Sequence, residues 1–211
     1  AAYDAALNRL TAQGLTYHCT CTRADIRAAL SAPQEGIDGP IYPGTCRDAN
    51  HQSGAVRLNM AKAVQVLPDL SFTETGANPA TYKINPAQLI STSGDVILSR
   101  RDIGVAYHLA VVVDDAAQGI TEVTRGQDLF AATPLQVALQ HMLGLPTPAY
   151  HHHALIRDDQ VPTTPQSGLA RFNQFAPTIT PKTVMAALKA EVQDLPERAV
   201  NLPARERALM E

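Results

Sequence analysis

Three cysteines stand in the first quarter of the chain, and their spacing suggests metal binding. Cys19 and Cys21 are separated by one residue, and Cys46 follows in Tyr42-Pro43-Gly44-Thr45-Cys46. Two neighbouring thiolates and a third across a loop supply three corners of a zinc tetrahedron. Zinc takes soft sulfur and nitrogen donors, and four of them in a structural site. His18, His51 and the phenol of Tyr42 are the candidates for the fourth corner, and spacing alone favours a His. Three unrelated buried thiols would give the same count, since free Cys packs as a small hydrophobe. The Pro- and Gly-rich stretch from Ser31 to Pro43 could not pack unaided, and a metal clip would close it. An odd number of Cys argues against a closed disulfide framework. With no secretory signal in the sequence, a reducing cytoplasm is expected.

Other chemistry is sparser. His151, His152 and His153 are consecutive, but side chains along a strand alternate faces, so the three are not expected to converge on a second metal. No Cys-His or Ser-His arrangement suggests a covalent nucleophile. Judged by position alone, Tyr107 is a core aromatic and Arg125 a surface cation.

Elements must hold these residues in place. Tyr3, Ala6, Leu7 and Leu10 recur at helical spacing, and no cap precedes them. The expectation is that the helix, and the protein, begin upstream of Ala1. Ala55–Asn59 alternates as a half-buried strand does, and Asp95–Arg100 reads as another. Phe72 and Tyr82 are the expected anchors of the broken stretch between them. Leu109–Val113 is short and β-branched and ends at Asp114-Asp115. This predicts a strand buried on both faces. Ile120–Thr124 reads as a further strand. Thr133, Pro134 and Gln136 spell a capping box with Thr133 as N-cap, opening a helix that Gly144 ends. Beyond Pro146 prolines interrupt the chain, and a last helix is expected from Thr180-Pro181. Strand, loop, strand and capped helix together predict an α/β fold.

The 211 residues suffice for one large domain or two small ones. A hydrophobic share of 45% against 18% charged excludes a disordered chain. No apolar run nears the roughly 20 residues of a membrane span, so no membrane association is expected. A net charge of −3 confines any nucleic-acid surface to a local patch, such as one around Arg100-Arg101.

Longer motifs carry a resemblance. Tyr17-His18-Cys19-Thr20-Cys21-Thr22-Arg23 and Tyr42-Pro43-Gly44-Thr45-Cys46-Arg47 stand in order before a second block. That block runs Arg100-Arg101-Asp102, then Tyr107-His108-Leu109 to Asp115, then Gln118 to Leu129 with Arg125-Gly126-Gln127-Asp128. Pro148-Ala149-Tyr150-His151-His152 follows. From residue 1 to about 157 the chain resembles the class I glutamyl-tRNA synthetase family, and most closely its short glutamyl-Q tRNA(Asp) synthetase branch. The resemblance implies part of a split Rossmann-like catalytic domain carrying a zinc-binding insertion, with a small C-terminal helical region. On that pattern residues 1–16 end the first Rossmann half and 17–94 form the insertion that approaches tRNA. Residues 95–150 form the second half with the glutamate site, and 151–211 a helical, stem-contacting end. The zinc ligands carry over to Cys19, Cys21, Cys46 and Tyr42, which displaces the preference for a His. Tyr107 and Arg125 become glutamate-binding residues. Asp128 is placed to orient Arg125 or to meet the substrate ammonium.

The implied reaction joins L-glutamate to ATP, with Mg, as glutamyl-adenylate and transfers the acyl group to the queuosine base of tRNA(Asp). A cytoplasmic monomer is expected. The family's His-Ile-Gly-His-like motif has no counterpart in the chain. Val161-Pro162-Thr163-Thr164-Pro165 stands where the family has a Lys-Met-Ser-Lys-Ser-like loop. This chain alone is therefore expected to be incomplete for catalysis. A fragment of an ordinary glutamyl-tRNA synthetase, or a non-catalytic zinc module that binds tRNA or an amino acid, are the alternatives.

Overall fold

In a computed structural model, the described residues are 2–30, 35–102 and 104–155. The helix expected from Thr180 and the proposed C-terminal region beyond residue 155 lie outside them. Helix α1 (Ala2–Ala12) opens the chain and turns its buried Leu10 inward. Strand β1 (Thr16–Cys19) follows, then α2 (Arg23–Ala29) and a short hairpin of β2 (Glu35–Gly36) and β3 (Gly39–Pro40). Thr22 and Asp25 close a reciprocal capping box at the start of α2.

Strand β4 (Ala55–Leu58) pairs antiparallel with β1, placing Cys19 opposite Ala55. Gly54, just before it, has φ +136°, and a Cβ there would fall 2.5 Å from the Cys19 carbonyl oxygen. Only glycine lets the two backbones approach so closely beside a candidate ligand. Strands β7 (Ile97–Arg100) and β8 (Gly104–Val105) complete an antiparallel sheet of order β1-β4-β7-β8.

A second sheet has the order β6-β5-β10-β9. Strands β5 (Leu70–Glu74) and β6 (Ala80–Ile84) form an antiparallel hairpin. Strand β10 (Ala149–His153) runs parallel to both β5 and β9 (Glu122–Gly126), with Arg125 opposite His152. The expected anchors meet here: Phe72 stacks on Tyr82 at 5.4 Å, and Phe130 and Tyr150 pack edge-on against Phe72. Helices α3 (Met60–Val66) and α4 (Pro86–Thr92) flank the strands and pack on one another.

The structure corrects the sequence at two elements. Leu109–Val113 is not a strand: it lies inside α5 (Tyr107–Gln118). His108, Leu109, Val112 and Val113 are buried, two adjacent residues per turn, which is the burial of one helix face. β-Branched residues lose only a few tenths of a kcal/mol per position in a helix, and burial of this face outweighs that. Gly119, left-handed at φ 68°, stops the helix. The second correction is that Thr133 is the first helical residue of α6 (Thr133–Leu143), not its N-cap. Ala132 takes the cap position without a side-chain bond. The polar ends of Thr133 and Gln136 are used elsewhere, as shown below. Gly144 ends α6 as expected.

Helices α1, α5 and α6 share one core with both sheets, built on Leu10, Leu58, Leu98, Leu109, Leu135 and Leu139. Among the described residues no helix is long and apolar enough to cross a membrane. Leu109 is wholly buried in α5, so Leu109→Ala should cost about 2–5 kcal/mol in urea unfolding. If residues 109–113 formed an edge element instead, the loss would fall well below that range.

Candidate metal centre and carboxylate site

The sulfurs of Cys19, Cys21 and Cys46 lie within 4.8 Å of one another. Cys19 ends β1, Cys21 stands two residues on, and Cys46 comes from the loop after β3. Bonds of about 2.3 Å from zinc give a tetrahedron with sulfurs about 3.8 Å apart, and the cluster has that scale. The Tyr42 hydroxyl completes it, 3.4 Å from the sulfurs of both Cys19 and Cys21. It accepts a hydrogen bond from the Cys46 backbone N–H at 2.9 Å. Neither His18 nor His51 belongs to the cluster. His51 instead meets the Thr20 hydroxyl at 3.4 Å.

Burial works against ionising the Cys46 thiol, but hydrogen bonds from Tyr42, the Thr20 backbone and the neighbouring thiols bring it down to about 6. One sulfur is thus set to be a thiolate near neutrality, the form a metal binds. The Arg57 guanidinium lies 3.9 Å above the Tyr42 ring, a cation–π contact. The donor set and its spacing fit a zinc-type metal.

Asp95 fastens this loop to the sheet. Its fully buried carboxylate accepts from Arg47 Nε at 2.6 Å, the Tyr17 hydroxyl at 2.6 Å and the Met60 N–H at 2.9 Å. Arg57 donates to the Asp95 carbonyl at 2.7 Å. Burial, followed by the Asp95 carboxylate, pushes the Tyr17 phenol well above its ordinary range, so it stays a donor.

The second site centres on Arg125, near the end of β9. Its Nε donates to His152 Nε2 at 3.0 Å. One terminal nitrogen donates to Gln136 Oε1 at 2.6 Å. The other donates to Thr133 Oγ1 at 2.7 Å and to the Leu129 carbonyl at 3.4 Å. The Thr133–Gln136 pair that reads as a capping box is therefore a set of acceptors for a guanidinium. Burial lowers the Arg125 pKa, and Tyr150, Tyr107 and Asp115 oppose that shift. Tyr107, at the first turn of α5, is half exposed and interacts with Arg125 through its hydroxyl.

The structure thus brings Tyr107 and Arg125 together. Asp128 is exposed in the 3₁₀ turn Gln127–Ala132, its carboxylate against Gly126. Among the described residues no hydrogen bond or ion pair joins it to Arg125. Asp114 accepts from the Tyr3 hydroxyl at 2.7 Å and so ties α5 to α1. Sequence reasoning missed Glu74, Gln136 and His152, whose partners are 11 to 78 residues away. A cavity of about 440 Å³ reaches from Tyr42 to Tyr107, and Arg23, Arg27 and Arg100 line it with Asp38 and His108.

Residues 1–163 match the family described as tRNA synthetases class I (E and Q), catalytic domain. The chain belongs to this family. A glutamyl-Q tRNA(Asp) synthetase of Rhodobacter capsulatus is 52% identical over 167 residues, 74% of this chain and 60% of that protein. One from Synechococcus is 48% identical over 158 residues, 73% of this chain and 49% of that protein. The chain thus spans about half to three-fifths of the length of these curated relatives. Among solved structures, a glutamate tRNA ligase from Elizabethkingia meningosepticum matches with a TM-score of 0.52 at 15% identity. That match covers 80% of this chain and 36% of the other, and it supports the Rossmann-like class I fold.

Asp95 gives this family member a clear point of failure. Asp95→Ala would leave Arg47, Tyr17 and the Met60 N–H without their buried acceptor. Unfolding free energy should fall by about 3–5 kcal/mol, measured by urea titration.

Proposed function

We propose that the protein activates L-glutamate with ATP and Mg to form glutamyl-adenylate, then passes the glutamyl group to the queuosine base of tRNA(Asp). The observation that carries this reading is Arg125, a guanidinium held by four protein acceptors beside the hydroxyl of Tyr107. A permanently charged, fixed donor set suits a carboxylate, and glutamate offers two. Relatives named glutamyl-Q tRNA(Asp) synthetase, at 52% and 48% identity, support the choice of acceptor.

Activation is attack of a glutamate carboxylate oxygen on the α-phosphorus of ATP, which expels pyrophosphate. Transfer is attack of a queuosine hydroxyl on the adenylate carbonyl, which expels AMP. Neither step needs a protein nucleophile. Arg125 and Tyr107 bind and orient the amino acid, and Asp128, exposed in the 3₁₀ turn after β9, is the carboxylate for its ammonium. Holding reactants in one geometry removes much of the entropic barrier. Cys19, Cys21, Cys46 and Tyr42 would hold a structural zinc, which when bound closes the loop between β1 and β4. The arginines of the cavity, Arg100 among them, supply a local cationic surface for RNA on a chain of net charge −3. The expected setting is a cytoplasmic monomer.

Glutamate-dependent ATP–pyrophosphate exchange by the intact protein tests the activity. Exchange without tRNA, followed by labelling of queuosine-containing tRNA(Asp), is the expected result. Exchange that requires tRNA(Glu) would point to an ordinary glutamyl-tRNA synthetase, and none at all to a binding module. Arg125→Met should weaken glutamate binding roughly 10- to 100-fold. Elemental analysis should find about one zinc per chain, and Cys19→Ser should release it. A stable protein that purifies free of metal would sink the zinc assignment.

A further inference from the structure

His152 is fully buried, and both of its ring nitrogens are engaged. Nδ1 lies 2.6 Å from Glu74 Oε2, while Nε2 lies 3.0 Å from Arg125 Nε. An arginine Nε–H can only donate, so His152 Nε2 must present its lone pair. The ring proton therefore sits on Nδ1 and is donated to Glu74. Glu74, 3% exposed, also accepts the backbone N–H groups of His152 and Gly76 at 2.9 and 2.8 Å. The chain Glu74–His152–Arg125 admits one tautomer and one direction of donation.

We propose that Glu74 and His152 are positioning residues for substrate carboxylate recognition, setting Arg125 through a neutral imidazole that accepts its Nε–H. The inference rests on Arg125 being a glutamate-binding residue. A carboxylate and a neutral imidazole taken this far from water are a poor means of stabilising a core, where apolar residues of similar size do as well. What the pair supplies is an acceptor: His152 is the partner of Arg125 Nε among the described residues. With Nε fixed there, and Gln136 and Thr133 on the terminal nitrogens, the guanidinium plane cannot rotate. One N–H of the terminal nitrogen that meets Gln136 is not taken up by these bonds, and Tyr107 is near enough to act on the guanidinium.

The imidazole is enclosed by groups from several elements. From β5 it faces Glu74, and from β9 Arg125. From α6 it meets the neutral Thr133 hydroxyl at 3.3 Å, from its own strand the Tyr150 ring, and from the 3₁₀ turn Phe130. His108 of α5 reaches the cluster through Gln136, and Tyr107 and Asp115 act on Arg125. Loss of the Nε2 acceptor should therefore weaken glutamate affinity while the chemical step changes far less.

The test is ATP–pyrophosphate exchange by the intact protein, with KM for glutamate and kcat measured separately. The expected result has two parts. His152→Leu raises KM for glutamate at least about tenfold, with kcat within about threefold of wild type. His152→Gln, whose amide oxygen can still accept from Arg125, recovers most of the affinity. A folded His152→Leu protein with unchanged KM would overturn the proposal. If that variant does not fold, His152→Asn, whose shorter amide keeps the Glu74 side but falls short of Arg125 Nε, serves instead, and an unchanged KM there would overturn the proposal. If Arg125→Met leaves KM unchanged, the assignment of Arg125 itself is wrong, and the positioning role falls with it. A loss in His152→Leu confined to kcat would contradict the positioning role while leaving Arg125 in place.

Discussion

A guanidinium drawn partly out of water must find acceptors, and the second sheet is arranged to provide them for Arg125. Its donors are met by an imidazole from β10, an amide and a hydroxyl from α6 and a carbonyl from the 3₁₀ turn. Each acceptor comes with a structural demand. His152 faces Arg125 only in the observed β9–β10 register, because a shift of one residue would turn it to the other side of the sheet. Thr133 and Gln136 can serve only because α6 begins without a side-chain cap. The helix gives up a contribution of about 1 kcal/mol that a capping Thr would supply, and the charge at the sheet edge gains two oxygens.

The metal loop follows the same logic with a different charge. Asp95 is a buried anion, and its three donors come from β1, from the residue after Cys46 and from the start of α3. Arg57 spans the two centres: it lies on the Tyr42 ring and donates to the Asp95 backbone. The candidate ligands are thus fixed from behind by groups that take no part in coordination. Outer contacts of this kind orient metal ligands.

Much of this was legible in the sequence, and the parts that were not share a cause. The cysteine cluster could be read because its members lie within 28 positions, 19 to 46, and thiols at that spacing have few other uses. Tyr42 as fourth donor was accessible only through family resemblance, since spacing alone pointed to a His. The helix ended by Gly144 was visible from local rules. Leu109–Val113 misled because a run of β-branched residues is ambiguous between a buried strand and a buried helix. Gly119, a helix-stopping residue just beyond, was the overlooked sign. Thr133 and Gln136 spell a cap in sequence but act on a residue that only the tertiary fold brings near. His152 was set aside as one of three consecutive histidines. The strand alternation used to dismiss a metal also predicts that the middle one points away from its neighbours, into the core.

The β5–β10 pairing carries a kinetic consequence. Glu74 and His152 are 78 residues apart in the chain, and the two strands that carry them are parallel neighbours, so no hairpin can join them early. Loop closure over that distance is entropically costly before any contact rewards it, and topologies rich in such pairings fold slowly. The cysteine loop closes over a span about one third as long, from Cys19 to Cys46. The Arg125–His152 contact, across 27 residues, carries no larger closure cost than the cysteine loop, so Glu74 is the costliest member of the polar chain to bring to its partner.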